Sequence, residues 1–362
     1  MRIIEDRRAL HRIPELDRDL PKTMAYLEKA LQGLNCRIFS PMDSALCAWF
    51  DFGREDAIAF RADCDALQVK EATGAEYAST HPGIMHACGH DGHMAVLLEL
   101  ARRLSAARDL PHNVLLLFQP AEENYGGAER LCATGVLERH GVKAVFGLHL
   151  WPGLEKGILH SRVGELMSRS AEVNVDIYGK SAHIAKAAEG VDAVAAGAYF
   201  YTKAIEMERS LPDNIYRLLK FGVFRGGTVR NALASAVRLE GSLRAFQDPV
   251  FEGLRDGLHA IARDTEAAFG ARVEITMSSG YPAVINPREL GDKVMTIAPY
   301  RELDAPSMTS EDFSFYQKHC PAMFFFLGLG DVSALHTAKF NFDETVLLKG
   351  ADFFEKLARE FV

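Results

Sequence analysis

The sequence predicts an α/β protein in which a discontinuous mixed-sheet domain is interrupted by a smaller inserted α+β domain. Three observations support this prediction. The first half of the chain alternates short apolar runs with amphipathic stretches, as strands and helices do in α/β domains. The stretch from 168 to 281 follows the order β-α-β-β-α-β of a ferredoxin-like sandwich, and apolar runs resume after it. We therefore predict one domain from residues 1–167 and 282–362, with an insertion of roughly 110 residues at 168–281.

Three apolar runs in the first half read as buried strands because each is short and continuously apolar. They are residues 57–62, 114–118 and 144–148. Residues 92–107 carry apolar side chains at helical spacing and end in a basic segment, where the helix dipole favours cations. Since strands and helices alternate here, the sheet is predicted to be largely parallel. A later run at 322–329 predicts another core strand of the same domain.

Within the insertion, strand patterns alternate with the patterns of Ala-rich or amphipathic helices. Asp248-Pro249 is a favourable helix start, and Gly270 is a favourable helix end. The predicted elements are, in order, a strand at 171–178, a helix at 190–209, strands at 217–225 and 235–244, a helix from Asp248 to Gly270, and a strand at 271–277. This order is sufficient for a domain that folds as a unit.

Composition narrows the class of protein. The chain has 362 residues, with 41 basic and 49 acidic side chains and a net charge of −8. This negative net charge disfavours electrostatic binding to nucleic acid or to an anionic membrane. No apolar run approaches the ~20 residues that span a bilayer, and the charged first fifteen residues do not resemble a signal peptide. The six cysteines include no CxxC pair, so we expect a cytoplasmic protein without disulfides.

A cluster of ligand-type side chains lies just before the 92–107 helix. Residues 85–93 read MHACGHDGH, so three histidines, one cysteine and one aspartate fall within eight residues. A lone buried histidine or cysteine is usually structural. Thiolate, imidazole and carboxylate in one irregular segment are instead typical of a zinc-like metal site. The cluster therefore predicts metal binding, with Cys88 and His90 as the central candidates.

Polar side chains also follow the predicted core strands. The strand at 114–118 leads into Glu122 and Glu123, the strand at 144–148 ends at His149, and the strand at 57–62 is followed by Asp63-Cys64-Asp65. Open α/β sheets bind ligands at the carboxyl ends of their strands. Adjacent glutamates point in different directions, so one can bind metal while the other takes a proton from water. The convergence predicts a catalytic metal centre.

These segments resemble a known family. MHACGHDGH, FQPAEE (118–123), GLHLWP (147–152), RADCDAL (61–67) and SEDFSFY (310–316) are similar to the M20 metallopeptidase/amidohydrolase family. More narrowly, they resemble its branch of N-acyl-amino-acid, hippurate and auxin-conjugate amidohydrolases. HRIPEL (11–16) and GGTVRNA (226–232) extend the resemblance along the whole chain. The family form, a catalytic domain interrupted by a lid or dimerisation domain, agrees with the division predicted above.

The resemblance implies a binuclear site of two divalent ions, with zinc, manganese, cobalt or nickel as candidates. The implied metal ligands are Cys88 as a bridging thiolate, His90, Glu123, His149 and His336. Glu122 takes the position of the general base, and Asp65 would orient a ligand from behind it. His86 and His93 have no implied ligand role, and Asp91 is expected to support the loop.

The resemblance also assigns roles within the insertion. His183, in GKSAH, matches a histidine that reaches the active site of a partner subunit and stabilises the tetrahedral oxyanion. Asn231 and Arg244 match positions that hold the substrate carboxylate, for which an Arg fork is well suited. The chain is therefore expected to form a homodimer or homotetramer through the lid domain. The family pattern departs here around the substrate pocket, at residues 184–190 and 231–234, which leaves substrate identity open.

The sequence thus predicts a metal-dependent amidohydrolase that cleaves N-acyl amino acids, with no nucleic acid or membrane partner. N-acetyl-diaminopimelate deacetylase and small dipeptidase are alternatives that share the machinery. A hydrolase with Cys88 as nucleophile would leave Glu122, Glu123, His149 and His336 unexplained. A non-enzymatic, metal-dependent binding module would have no use for Glu122 as a base.

Overall fold

The computed structural model describes residues 1–362 and divides into two compact units. The outer unit comprises Met1–Leu166, Ile285–Pro306 and Asp312–Val362. The inserted unit comprises Met167–Val284 and Ser307–Glu311. The sequence did not indicate that a short late segment, Ser307–Glu311, groups with the insertion. No helix in the structure combines the length and apolarity required to cross a bilayer.

The outer unit is a mixed α/β structure. Its helices are α1 (Arg2–His11), α2 (Pro21–Leu31), α3 (His90–Ala106), α4 (Gly127–Ala133), α5 (Val136–Arg139), α8 (Arg288–Ile297) and α9 (Leu347–Glu360). Its sheet strands are β1 (Arg37–Phe39), β2 (Leu46–Phe50), β3 (Ala57–Asp63), β4 (Asn113–Gln119), β5 (Val142–Trp151), β6 (Leu159–Ser161), β13 (Arg301–Glu302) and β14 (Ala322–Gly328). Two 3₁₀ segments, Asp312–Lys318 and Glu344–Val346, complete it.

The eight strands form one sheet in the order β1-β2-β4-β3-β5-β14-β6-β13. The central strands β4, β3, β5 and β14 are parallel, as predicted, whereas β2 is antiparallel to β4 and β6 is antiparallel to β14. Every residue of β3, β4 and β14 is buried, which explains their continuous apolar runs. Helix α3 packs against α1 and α9, so the core lies between these helices and the sheet.

The chain leaves and re-enters the outer unit through two short strands, β7 (Gly164–Met167) and β12 (Val284–Asn286). The elements of the inserted unit are β8 (Arg169–Tyr178), a 3₁₀ segment at Ile184–Glu189, α6 (Ala193–Ser210), β9 (Arg217–Gly226), β10 (Ala236–Ala245), α7 (Asp248–Phe269) and β11 (Arg272–Met277). Its antiparallel sheet has the order β11-β8-β10-β9, with α6 and α7 packed against it. This is the predicted ferredoxin-like arrangement.

Candidate metal centre

The predicted ligands gather at one edge of the large sheet. Strands β3, β4, β5 and β14 are parallel neighbours, so their carboxyl ends lie side by side. Helix α3 begins at the same edge, since it follows β3 and returns along the sheet towards the start of β4. The loop after β4 brings the paired glutamates to this edge, and the loop after β14 brings His336.

Five side chains form two groups of donors that share one sulfur atom. One ligand atom from each of Cys88, His90 and His149 lies within 4.8 Å of the others, and the same holds for Cys88, Glu123 and His336. The Cys88 Sγ is 3.3 Å from His149 Nε2 and 3.2 Å from His336 Nε2. Cys88 thus lies between two sets of donors, as a thiolate shared by two cations would.

Backbone carbonyls orient the two buried imidazoles of the site. His90 Nδ1 is 2.8 Å from the carbonyl oxygen of Asp65, and His149 Nδ1 is 2.7 Å from that of Leu150. When each Nδ1–H donates to its carbonyl, the Nε2 lone pair of each ring faces the site. Burial lowers the pKa of both imidazoles, that of His149 well below its ordinary value. Burial therefore favours the neutral form of both rings, which is the form that binds metal.

The chemistry of the buried donors fits a divalent cation. His90 Nε2 is buried and has no hydrogen-bond partner. Burial raises the pKa of the Cys88 thiol well above its ordinary value, and the carboxylates of Glu123 and Glu122 raise it further. A thiolate in this place requires a compensating positive charge. Thiolate, imidazole and carboxylate together suit zinc-like metals.

His336 completes the second donor group from a strained loop. Its backbone is left-handed, with a φ of 61°, which costs a non-glycine residue of this kind about 1–2 kcal/mol. Its N–H donates to the carbonyl of Ala87 at 2.8 Å, and this bond ties the late loop to the residue before Cys88. The Glu123 carboxylate, whose Oε1 is 3.4 Å from His336 Nε2, raises the pKa of His336. The loop therefore holds an otherwise half-exposed imidazole beside the site.

The side chain of Asp65 binds the backbone of the two adjacent glutamates. Its two carboxylate oxygens accept the N–H groups of Glu122 at 2.9 Å and Glu123 at 3.1 Å. Ala121, immediately before the pair, is left-handed with a φ of 58°. The turn directs the glutamate side chains so that one carboxylate oxygen of each lies within 4.8 Å of a ring nitrogen of His90. Asp65 thus positions both glutamates, in addition to holding His90 through its carbonyl.

A fully buried ionic network lies behind this edge. Arg61 Nη1 is 2.9 Å from Asp63 Oδ2, and Arg61 Nη2 is 2.8 Å from Asp312 Oδ1. Gln119 accepts from Arg61 Nε at 2.8 Å and donates to Asp312. Burial alone would raise the pKa of Asp63, but its interactions with His90 and with the Arg61 guanidinium hold it well below its ordinary value. Asp63 therefore carries negative charge directly beneath the histidines.

A second buried network joins the first turn of α3, which contains Asp91, to α1. Asp91 Oδ2 is 2.8 Å from Arg7 Nε and 2.8 Å from His11 Nδ1, and Asp91 Oδ1 accepts the N–H of Gly92. Arg7 also reaches Glu344 at 3.2 Å and is completely buried. Asp91 supports the loop, as expected, and does not face the donor groups described above.

The inserted unit contains the remaining predicted residues. His183 Nδ1 accepts the N–H of Ala185 at 3.2 Å, and the Asn231 carbonyl accepts the N–H of Ile184 at 3.0 Å, so His183 and Asn231 are neighbours. Arg244 lies on β10, where its Nη1 donates to the carbonyl of Met308 at 2.6 Å. Burial lowers the pKa of Arg244. Their catalytic and substrate-binding roles remain predictions.

Sequence reasoning gave no role to Arg61, His93 and the Arg7–His11 pair. A signal for Arg61 was present, because a charged side chain inside a continuously apolar strand must be paired when it is buried. The signal for Arg7 and His11 was weaker. Their partner Asp91 lies about eighty positions further along the chain, and no local pattern connects them.

One family model matches most of the chain, and several known proteins match nearly all of it. The family model described as Peptidase family M20/M25/M40 matches residues 59–360. An uncharacterized hydrolase of Staphylococcus aureus strain USA300 is 32% identical over 374 residues, covering 99% of this chain and 98% of the relative.

Two solved structures are similar along their whole length. One, described as an aminohydrolase from methicillin-resistant Staphylococcus aureus, has a TM-score of 0.90 and 29% identity, covering 98% of this chain and 95% of the other. The second is the YXEP protein of Bacillus subtilis, described as a dinuclear metal binding peptidase. It has a TM-score of 0.85 and 30% identity, covering 99% of this chain and 96% of the other.

Proposed function

The chain belongs to peptidase family M20/M25/M40 and is a metal-dependent hydrolase, and from that premise we propose that it cleaves the amide bond of N-acyl amino acids. The products would be a carboxylate and a free amino acid. The observation that carries the proposal is the pair of donor groups that share Cys88, with Glu122 beside them. The N-acyl preference rests on the resemblance of MHACGHDGH and FQPAEE to the hippurate and auxin-conjugate branch.

We assign the metal ligands as Cys88, His90, Glu123, His149 and His336. Two bound divalent ions would supply Lewis-acid activation of water and of the amide carbonyl. Glu122 acts as the general base: its carboxylate takes a proton from the attacking water and returns it to the leaving amine. Asp65 keeps that carboxylate in place through the Glu122 N–H.

The inserted unit supplies the substrate contacts in this proposal. His183 donates to the oxyanion of the tetrahedral intermediate in a partner subunit, and Asn231 and Arg244 hold the substrate carboxylate. The proposed assembly is a homodimer or homotetramer that forms through the inserted unit. The sheet of the inserted unit supports assembly through this unit, because β9 and β11 are edge strands. Edge strands of this kind can pair with a strand of another chain.

A hydrolysis panel with controlled metals tests the proposal. The purified protein is stripped with a chelator, reloaded with zinc, manganese, cobalt or nickel, and offered hippurate, N-acetyl-methionine, N-acetyl-diaminopimelate and simple dipeptides. We expect metal-dependent turnover of the N-acyl amino acids. Because the Bacillus neighbour is described as a peptidase, preferential cleavage of dipeptides would favour the dipeptidase alternative. Metal binding without turnover of any substrate would favour a binding module.

A further inference from the structure

A third histidine lies against the two buried imidazoles of the proposed metal centre. His93 is in the first turn of α3 and only 1% exposed. Its ring centroid is 4.6 Å from that of His149 and 5.4 Å from that of His90. Atoms of Asp63, His90 and His93 also lie within 4.8 Å of one another, as three ligands of a further metal ion would. The hydrogen bonds of His93 decide between a ligand and another role.

Both ring nitrogens of His93 are already bonded to protein groups. Nδ1 is 2.6 Å from Asp63 Oδ1, and Nε2 accepts the backbone N–H of Leu150 at 2.9 Å. Since Nε2 is the acceptor, the proton of the neutral ring is on Nδ1 and is donated to the Asp63 carboxylate. No lone pair of His93 is left for a metal ion, so the ligand role is excluded by the tautomer.

We propose that His93 is a positioning residue that fixes His149 through the backbone of Leu150. His93 holds the Leu150 N–H, and the Leu150 carbonyl accepts from His149 Nδ1 at 2.7 Å. Leu150 is thus held at its N–H by His93, while its carbonyl, in the next peptide group, orients the imidazole of His149. That orientation brings His149 Nε2 to 3.3 Å from Cys88 Sγ.

The support for His93 extends into the rigid core. Asp63 accepts from His93 with one oxygen and from Arg61 with the other. Arg61 is in turn bonded to Asp312 and Gln119, and all four side chains are fully buried. Every side chain in this hydrogen-bonded series has a partner, so the position of the His93 ring is fixed. The fixed ring in turn determines the position of Leu150 at the end of β5.

The inference rests on the proposed metal centre and assigns a function to a residue for which the family resemblance gave none. Three substitutions separate its two hydrogen bonds. His93→Phe keeps the ring volume and removes both bonds. His93→Gln places an acceptor near the position of Nε2, where it can receive the Leu150 N–H. His93→Asn places a donor near the position of Nδ1, where it can reach Asp63, and provides no acceptor for Leu150.

The measurement is metal binding to the full chain, by chelator competition and by the visible absorption of the cobalt-loaded protein. We expect the parent to bind two ions. We expect His93→Phe to bind metal about 10–100-fold more weakly with an altered cobalt spectrum, as is usual when a group behind a ligand is lost. His93→Gln should recover most of the affinity, and His93→Asn should not.

The matched control is His112→Phe, because His112 forms a similar pair with Asp56 before β4, at the opposite edge of the sheet. This control should bind metal like the parent.

Four outcomes would overturn the inference. Parent-like affinity and spectrum in His93→Phe would remove His93 from any role at the site. Recovery by His93→Asn and not by His93→Gln would show that Asp63, rather than Leu150, transmits the effect. A parent with three ions and a His93→Phe variant with two would make His93 a ligand. A parent that binds no metal would overturn the proposed function and the inference with it, whereas the first three outcomes leave the proposed function intact.

Discussion

Two adjacent glutamates illustrate how backbone geometry separates chemical roles at a single turn. Glu122 and Glu123 are held by the same aspartate, Asp65, through consecutive N–H groups. Their side chains nevertheless differ in position: Glu123 shares a donor group with Cys88 and His336, whereas Glu122 does not. The proposed division into base and ligand comes from the family resemblance and is compatible with this difference, although both glutamates also share a donor group with His90.

Exchange of each glutamate for glutamine tests that division. Glu122→Gln should lower kcat by about 10²–10⁴-fold and keep two bound ions, because an amide cannot accept the proton of water. Glu123→Gln should lower metal stoichiometry. Metal analysis and kinetics are measured on the same preparations, with Glu129→Gln on the exposed face of α4 as the control. Loss of metal from Glu122→Gln would reverse the two assignments.

The cysteines allow a second test at the level of single atoms. Cys88→Ala should bind fewer ions than the parent, while Cys132→Ala, an equally buried cysteine elsewhere in the outer unit, should bind the full number. In the metal-loaded protein Cys88 should resist alkylation until a chelator is added, because coordination occupies its lone pairs. Mass spectrometry of the alkylated peptide makes the measurement. Rapid alkylation of Cys88 in fully loaded, active protein would contradict the shared-thiolate assignment.

At the scale of elements, the turn that carries the glutamates depends on one glycine. A Cβ built on Gly127, at the start of α4, would lie 1.7 Å from the carbonyl oxygen of Pro120. Gly127→Ala must therefore displace the loop 120–126. We expect it to weaken metal binding and to lower the free energy of unfolding by about 1–3 kcal/mol, the usual cost of overpacking.

Thermal unfolding and metal analysis of Gly127→Ala provide the measurement. Gly253→Ala is the control, since Gly253 lies inside α7 with nothing within 4 Å of the added Cβ. There the substitution should raise the free energy of unfolding by about 0.5–1 kcal/mol because alanine favours the helix. A Gly127→Ala variant with parental stability and metal content would show that the loop adapts without cost.

Helix α1 is attached to the first turn of α3 by a fully buried ion pair between Arg7 and Asp91. Arg7 is completely buried between Asp91 and Glu344, whereas Arg8 binds the same Glu344 with a side chain 46% exposed. Arg7→Met should lower the free energy of unfolding by about 3–5 kcal/mol, because it removes the buried positive charge between Asp91 and Glu344. The basic partners that remain are His11 for Asp91 and the half-exposed Arg8 for Glu344. Arg8→Met should cost about 1 kcal/mol or less. Denaturant titration of both variants measures the contrast, and equal losses would contradict it.

At the scale of the whole molecule, the central test concerns exchange between subunits. If His183 acts in a partner's site, Glu122→Gln and His183→Ala chains should each be inactive alone and regain activity when mixed. A mixed dimer then has one site with both Glu122 and His183, so random exchange restores about a quarter of the sites in a two-fold dimer. Activity after confirmed subunit exchange is the readout. Heterodimers without recovered activity would rule out the role in trans.

The sequence predicted the layer architecture and the insertion well, because both depend on local patterns. Continuous apolar runs marked β3, β4 and β14, and alternating residues marked β8. The outer strands β1, β2, β6 and β13, two on each side of the sheet, were not predicted, since two to five residues carry little pattern. The antiparallel pairs β1–β2, β2–β4 and β6–β14 make the sheet mixed at its margins, whereas β13 pairs with β6 in parallel.

The candidate site was predictable to the extent that its residues lie in motifs or at strand ends. Cys88, His90 and Glu123 belong to short motifs, and His149 follows from the end of β5. His336 came only from the family resemblance. Supporting contacts such as those of Asp312 with Arg61 and Gln119 join residues far apart in sequence. Their partners depend on tertiary packing, which no local periodicity encodes.

The position of β14 in the sheet has a consequence for biosynthesis. This strand lies between β5 and β6, and its Ala322 pairs with Val145, yet it is translated after the whole inserted unit. On the ribosome, the contiguous β8–β11 segment can therefore fold first. Until β14 is synthesised, the edge of β5 that will pair with it is unpaired, and unpaired strand edges promote aggregation. Such distant pairing also makes folding of the outer unit intrinsically slow. His336 emerges later still, so the full set of proposed donors exists only after β14 has entered the sheet. If these residues hold the metal ions, complete metal loading is a late step of maturation.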